Sequence, residues 1–397
     1  MAYDQLDRPG AAYIPSSKVR ARSCVIRVAF DVHTLGQRAT GNETYAQGLM
    51  QAFLDEPPAD IDFVFYHARP MAKPHTHAVF RRLRPHWPCL RIPLATPWAL
   101  YRDRIDVAHF QYFAPPLRTC PTIVTIHDLS FERHPEFFPV AMTLRMRLLM
   151  PFQARRASHI IAVSEATRRD IIELYGVAPA RISVVHNGVA ESFAAPVDPD
   201  FANYVLARFA IERPFIVCVG NLCTRKNQRA VVRAFGRLVD RHEIEHDLVL
   251  IGQATHSARD IMAEIEGLKR KERVHVTGFV GSDELRALYA RATASVYVSL
   301  YEGFGLPIVE SMACGTPVLT SSVSCMAEIA GDAALLVDPR DDEAIEAGLL
   351  RLVEDGDLRC RLGGAGRIRA RDFSWSEAAR RTARIYRQTA LVAKEGT

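Results

Sequence analysis

Along most of the chain, short and nearly continuous apolar runs alternate with longer stretches in which apolar positions recur every three or four residues. The runs at 24–30, 61–67, 106–110, 121–127, 159–164 and 182–186 are rich in Val and Ile and read as strands. Between them lie helical patterns, such as 42–54 and 165–176; in the second, Ser164 supplies a cap and Gly176 a stop. After a polar, Pro- and Ala-bearing linker at 187–201 the rhythm restarts, with strands expected at 215–220, 247–252, 273–278, 294–299 and 316–321. Apolar strands separated by helices imply a parallel sheet covered on both faces. The pattern therefore predicts an α/β chain of two doubly wound, Rossmann-like domains, 24–192 and 205–373, followed by an amphipathic segment at 374–392. That segment carries Trp375, Ala379, Ala383 and Tyr386 near one stripe. Ligands of such sheets bind at the carboxyl ends of the strands, so two facing domains make a cleft.

The length, 397 residues, agrees with two cores rather than one. With 48% hydrophobic and 24% charged residues the composition is that of a soluble globular chain, and no apolar run approaches the ~20 residues that span a bilayer. The stretch 1–23 has no apolar segment and reads as a loose tail rather than a secretory signal, which makes the cytoplasm the default location. Eight cysteines are scattered without a C-x-x-C pair, as expected of reduced, packed thiols. A net charge of +5 suits phosphate-bearing ligands or an anionic membrane face, and no aromatic-basic motif points to nucleic acid.

Four strand-tip loops carry candidate chemistry. In the stretch 295–322, Glu302 and Glu310 flank the turn GFGLP, with Pro307 in the first turn of a helix and Gly315 past its end. Carboxylates beside free backbone N–H groups suit paired sugar hydroxyls; the plainer reading is two acids stabilised by a helix dipole. In the stretch 219–235 a strand ends at Gly220, and Arg225 and Lys226 stand together before a helix, a layout for a diphosphate or, alternatively, an ordinary solvated basic turn. His127 follows a buried strand in the other domain, placed either to meet a sugar or to sit satisfied in the core. Gly36 and Gly41 lie between the first strand and its helix in a phosphate-turn layout that is not G-x-G-x-x-G.

Taken together, TRKN (224–227), VTGFV (276–280), EGFGLPIVESMACGTPV (302–318), VSEATRRDI (163–171), VVHNGV (184–189) and FSW (373–375) resemble glycosyltransferase family 4, retaining nucleotide-sugar transferases of the GT-B fold. The resemblance runs from about residue 25 to 390. It implies that Arg225 and Lys226 neutralise the donor diphosphate beyond the strand tip at Gly220, that Glu310 holds the ribose hydroxyls and that Glu302 lies close to the transferred sugar. It also implies that the backbone of Gly303, Phe304, Gly305 and Leu306 contacts sugar and phosphate, and that Gly278, Phe279 and Val280 border the base. His127 matches the histidine that approaches the sugar, and Gly41 the glycine facing the diphosphate, although TGNETY departs from the commoner GIGRY form. The last helix is implied to cross back onto the first domain.

The reaction implied is hexosyl transfer through an oxocarbenium-like transition state, with Arg225, Lys226 and helix amides stabilising the departing diphosphate and no metal or other cofactor. D-x-D occurs at 60–62, 198–200 and 355–357, in segments that form no convergent oxygen cage. The region 125–139 looks most like mannosyltransferases, which favours GDP-mannose and leaves UDP-glucose, another UDP-hexose or a dTDP-sugar open. A glycan or lipid-linked acceptor is expected. The arginine- and leucine-bearing stretches 78–87 and 142–156 read either as helices with a core face and a solvated face or as peripheral contacts with an anionic membrane. Rival readings are a GT-B epimerase or sugar phosphorylase, and a non-catalytic nucleotide-sugar-binding protein.

Overall fold

The computed structural model describes residues 25–37, 41–70, 78–85, 87–242, 244–255 and 257–395; the stretch read as a loose tail lies outside them. The first sheet holds β1 (Ile26–Asp31), β2 (Ile61–His67), β3 (Val79–Arg82), β4 (Val107–Gln111), β5 (Thr122–Ile126), β6 (His159–Ala162) and β7 (Ile182–Val184). Their order is β3-β2-β1-β4-β5-β6-β7, and every neighbouring pair is parallel. The second sheet holds β8 (Phe215–Val219), β9 (Asp247–Ile251), β10 (Val274–Gly278), β11 (Ala294–Tyr297), β12 (Val318–Ser321) and β13 (Leu335–Val337). It too is parallel, in the order β10-β9-β8-β11-β12-β13. Strand order reverses beside β1 in one sheet and beside β8 in the other. The loops after β1, β4, β8 and β11 therefore open into crevices where a ligand can enter.

The apolar runs form buried strands because each sheet is covered on both faces: β4, β5 and β9 are buried along their whole length. Helix α1 (Gly41–Asp55) follows β1. Helices α2 (Thr96–Arg102) and α3 (Val140–Arg156) cover the opposite face of the sheet, where Ala99, Leu100, Met146 and Met150 share one core. Helix α4 (Glu165–Tyr175) starts where Ser164 accepts a hydrogen bond from the Thr167 amide and stops at Gly176, which has a φ of +63°. In the second sheet, α5 (Gln228–His242) follows β8 and α6 (Leu306–Cys314) follows β11.

The final helix, α7 (Trp375–Glu395), lies against α1, burying Ala379, Ala383 and Tyr386 beside Tyr45, Leu49 and Phe53. A buried chain of hydroxyls fastens it. Tyr386 bonds His109 Nδ1 at 2.7 Å, His109 Nε2 bonds Thr125 at 2.7 Å, and Thr125 bonds Tyr45 at 2.8 Å.

Two expectations are corrected. Residues 79–82 form the edge strand β3, not part of an arginine-faced helix, because their pairing with β2 satisfies the backbone that a helix would have bonded internally. The segment read as a polar linker, 187–201, ends inside a helix, Pro199–Arg208, capped by the Asp198 carboxylate.

Candidate active site

The loop after β8 makes a single tight turn, Thr224–Lys226, and Asn227 takes a φ of +58° before α5 begins. The Asn227 amide donates to the carbonyls of Val298 at 3.2 Å and Pro339 at 2.7 Å, tying this turn to the β11 tip. Arg225 and Lys226 are thereby delivered to Glu302. Arg225 Nη1 is 2.7 Å from Glu302 Oε2 and also donates to the Tyr301 carbonyl at 2.9 Å. Lys226 Nζ is 2.7 Å from Glu302 Oε1, bonds the Tyr297 hydroxyl, and lies 4.7 Å from that ring's centroid. Burial alone would push the Glu302 carboxyl up, but the two cations outweigh it and hold it down at about 2. Two cations and one carboxylate leave a single net positive charge at a water-poor strand tip, an electrostatic seat for a diphosphate.

The other wall is the tip of β5. A Cβ on Gly303 would lie 1.7 Å from the His127 carbonyl oxygen, so the GFG turn and the histidine backbone are pressed together. Thr167 stands over the junction, its hydroxyl 3.3 Å from the His127 carbonyl and 3.4 Å from that of Gly303. The His127 ring rests edge-on against Tyr45, with centroids 4.8 Å apart, and its Nε2 is 2.8 Å from Gln111 Oε1. Burial pushes the imidazole down to about 4, so it is neutral at physiological pH.

Glu310 sits in α6, and burial pushes its carboxyl up to about 7. A hydrogen bond with Tyr289 and, after it, the attraction of Lys226 pull the other way. Gly41 begins α1 and meets Leu306 across the cleft, a Cβ there lying 3.9 Å from Leu306 Cδ1. Gly220, with a φ of +142°, packs against the Lys226 stem. Gly278 ends β10 with a φ of +73°, Phe279 is exposed and Val280 is buried in the core. Phe304 is also a core side chain, so at Val280 and Phe304 only the backbone faces a ligand.

The structure thus joins Arg225, Lys226 and Glu302 in one ionic cluster and sets His127 against Gly303 beside it. Glu302 stands between the cations rather than free in the cleft. Gln111, Thr167, Tyr297 and Tyr301 escaped the sequence reading. Gln111 could have been found, since it ends a buried strand next to β1, where strand order reverses.

Among the described residues no group of three His, Cys, Asp or Glu side chains could hold a metal ion. The D-x-D segments have other work: Asp60 bonds Arg387 at 2.7 Å, and Asp198 and Asp355 cap helices.

Comparison with known proteins gives the family. Residues 24–193 match the model described as Glycosyltransferase Family 4, and residues 207–369 match Glycosyl transferases group 1. The O-antigen chain mannosyltransferase B of Escherichia coli is 30% identical over 296 residues, 74% of this chain and 77% of that protein. The chain is a family 4 glycosyltransferase. This glycosyltransferase is also 32% identical, over 237 residues, to the MMP alpha-(1->4)-mannosyltransferase of Mycolicibacterium hassiacum, covering 59% of this chain and 54% of that one. Its fold is that of the sucrose-phosphate synthase of Thermosynechococcus elongatus, with a TM-score of 0.75 and 20% identity over 91% of this chain and 98% of that one. The WaaG glycosyltransferase involved in lipopolysaccharide biosynthesis superposes with a TM-score of 0.71 and 17% identity, covering 90% of this chain and 99% of that one. The two lobes are therefore those of a GT-B glycosyltransferase, and the chain is a hexosyltransferase.

Proposed function

We propose that this glycosyltransferase moves mannose from GDP-mannose to a hydroxyl of a glycan or lipid-linked acceptor in the synthesis of a bacterial surface polysaccharide, with retention at the anomeric carbon. The observation that carries the reading is the Arg225–Glu302–Lys226 cluster, which lies at the point where strand order reverses and beside the His127–Gly303 junction of the lobes. The mannosyltransferases among the relatives favour mannose, and a UDP-hexose is the second donor to try.

In this reading the diphosphate lies on Arg225, Lys226 and the amides at the start of α6. The bond between the anomeric carbon and the diphosphate oxygen breaks on the same face at which the acceptor oxygen bonds. The acceptor proton passes to a phosphate oxygen of the leaving group, so no protein base and no metal is needed. The developing negative charge is met by cations already in place, which is worth roughly 2.7–4 kcal/mol per preorganised donor. Glu310 accepts the ribose hydroxyls, the backbone of 303–306 contacts sugar and phosphate, and His127 faces the hexose. The enzyme works in the cytoplasm, in peripheral contact with the membrane that holds a lipid-linked acceptor.

Release of nucleoside diphosphate from GDP-mannose, UDP-glucose and a dTDP-hexose, with and without a glycan acceptor, tests this reading. Acceptor-dependent release from GDP-mannose, lost in Lys226→Ala, is the expected result. Turnover that needs inorganic phosphate would make the protein a phosphorylase, and turnover without any acceptor an epimerase or hydrolase. Nucleotide binding without turnover would make it a binding protein.

A further inference from the structure

We propose that Glu328 is a positioning residue for hexosyl transfer: from the second lobe it caps helix α4 of the first and fixes the register in which the strand-tip loops of the two lobes meet. The proposal rests on the functional reading for the diphosphate seat at Arg225 and Lys226. It is independent of which hexose is transferred.

Glu328 lies in a short helix, Met326–Ala330, that follows β12. Its carboxylate reaches across to three donors. Oε1 accepts from the Glu165 amide at 2.9 Å and lies 2.9 Å from His186 Nε2, and Oε2 accepts from the Ala166 amide at 3.1 Å. Glu165 and Ala166 open α4, and His186 follows β7, so all three donors belong to the first lobe. Burial alone would raise the Glu328 carboxyl, but the hydrogen bonds from His186 and the two amides outweigh it and hold it below the usual range. An ionised carboxylate only accepts, so His186 donates through Nε2.

Neither lobe needs this contact for its own fold. Helix α4 has a cap within its own lobe, since Ser164 Oγ accepts from the Thr167 amide at 3.1 Å. The Met326–Ala330 helix is held inside the second lobe by the buried side chains of Met326 and Ile329. Arg369 of that lobe also donates to the carbonyls of Glu328 at 2.8 Å and Ile329 at 3.0 Å. What the carboxylate adds is direction. Val163 joins the apolar cluster of the second lobe and Ala166 packs against it, but apolar contact is non-directional and lets two surfaces slide. Three donors with fixed geometry do not.

Both halves of the site are tied to this contact at short range. Just before the Met326–Ala330 helix, the Ser324 hydroxyl donates to the Glu302 carbonyl at 2.6 Å and accepts from the Glu302 amide at 3.3 Å. Cys325 Sγ lies 3.2 Å from the Phe304 carbonyl oxygen. On the first lobe, Thr167 directly follows Ala166 and reaches the carbonyls of His127 and Gly303. Further along α4, Asp170 accepts from the hydroxyl of Tyr301, the neighbour of Glu302. The second lobe thus grips α4 at its first amides, at Thr167 and at Asp170. Releasing Glu328 moves His127 relative to the diphosphate seat, and a misplacement of about 1 Å can cost a hundredfold in rate.

The test combines transfer kinetics, nucleoside diphosphate affinity and small-angle scattering on the full chain, for Glu328→Ala, Glu328→Gln and Glu165→Pro. The last removes one amide donor from the first lobe, at a helix position that accepts proline. In Glu328→Ala and Glu165→Pro, kcat per folded enzyme should fall by about tenfold or more. Nucleoside diphosphate affinity should be unchanged, because Arg225, Lys226 and Glu302 all lie in the second lobe, and the radius of gyration should rise. Glu328→Gln keeps the oxygen that serves two of the three donors and should recover part of the lost kcat. A merely structural role would lower the melting temperature and leave kcat per folded enzyme where it was. The proposal is overturned if Glu328→Ala or Glu165→Pro keeps the wild-type kcat, if nucleotide affinity falls in step with kcat, or if the radius does not change. Should Glu328→Ala fail to fold, Glu165→Pro is read by the same criteria. A wild type without acceptor-dependent nucleotide release would refute the functional reading instead, and the scattering comparison would still decide whether Glu328 holds the lobes.

Discussion

His127 Nε2 donates to Gln111 Oε1 at 2.8 Å, so the lone pair of the ring resides on Nδ1. The direction is set from further back: the Thr34 hydroxyl donates to the Asn42 carbonyl at 3.3 Å, which leaves its oxygen to accept from the Gln111 amide at 3.4 Å. With its N–H group committed to Thr34, Gln111 can only accept from the histidine.

Replacing this acceptor tests the relay. Gln111→Leu should lower the rate of transfer by about a hundredfold through loss of ring orientation, with nucleotide affinity unchanged. Gln111→Glu should stabilise a protonated ring and raise the His127 pKa from its depressed value of about 4 by a unit or more, moving the acid limb of the pH–rate profile upward. A pH–rate series on both variants reads this, and identical profiles would remove Gln111 from the reaction.

Glu302 divides its two oxygens between Arg225 and Lys226, each at 2.7 Å. Glu302→Gln leaves two buried cations facing each other and should destabilise the fold by about 3–5 kcal/mol. Nucleoside diphosphate should then raise the melting temperature of the variant more than that of the wild type, because the ligand supplies the missing negative charge. The folded carboxyl is held at about 2 against an ordinary 4.5. Its stabilisation is therefore complete above pH 4.5 and is lost as pH falls toward 2. Thermal melts across that window should show the acid loss in the wild type and a flatter curve in Glu302→Gln.

Glu310 shifts the other way, to about 7. In the role proposed for Glu310 the carboxylate is the better acceptor for a ribose diol, so nucleotide-sugar binding should release a proton below that pH. Affinity should rise with pH up to about 7 and then level off. A nucleotide sugar is the right probe, since its diesterified diphosphate does not titrate in this range. Calorimetry should show the break in the wild type and not in Glu310→Gln.

Gly303 has backbone on both sides of the point where a side chain would go, 1.7 Å from the His127 carbonyl oxygen. Gly303→Ala must therefore push the lobes apart. Transfer should fall by about a hundredfold or more while nucleotide binding to the second lobe persists. Small-angle scattering would report the opening, and an unchanged radius with full activity would contradict the assigned contact.

What the sequence by itself determined is what short-range pattern can carry. The alternation of apolar runs with helical periods predicted two parallel-sheet lobes. The strand-tip rule picked out Arg225, Lys226, Glu302 and His127. Capping chemistry marked Ser164, Gly176 and Pro307. Each of these follows from residues within a few positions of one another, and so does the family resemblance.

The tertiary structure decided what depends on contacts between distant residues. That Glu302 closes an ion pair with both cations follows from the packing of β11 against β8, since 76 residues separate Arg225 from Tyr301. That Tyr386 fastens α7 to the first lobe through His109 depends on a bond across 277 positions. The fate of 79–82 turned on whether a neighbouring strand offered an edge, and the leucines of α3 proved exposed only once its other side had filled the core. Period and propensity encode which face of an element is apolar. Which partner covers that face, and whether any does, is set by the geometry of the assembled layers.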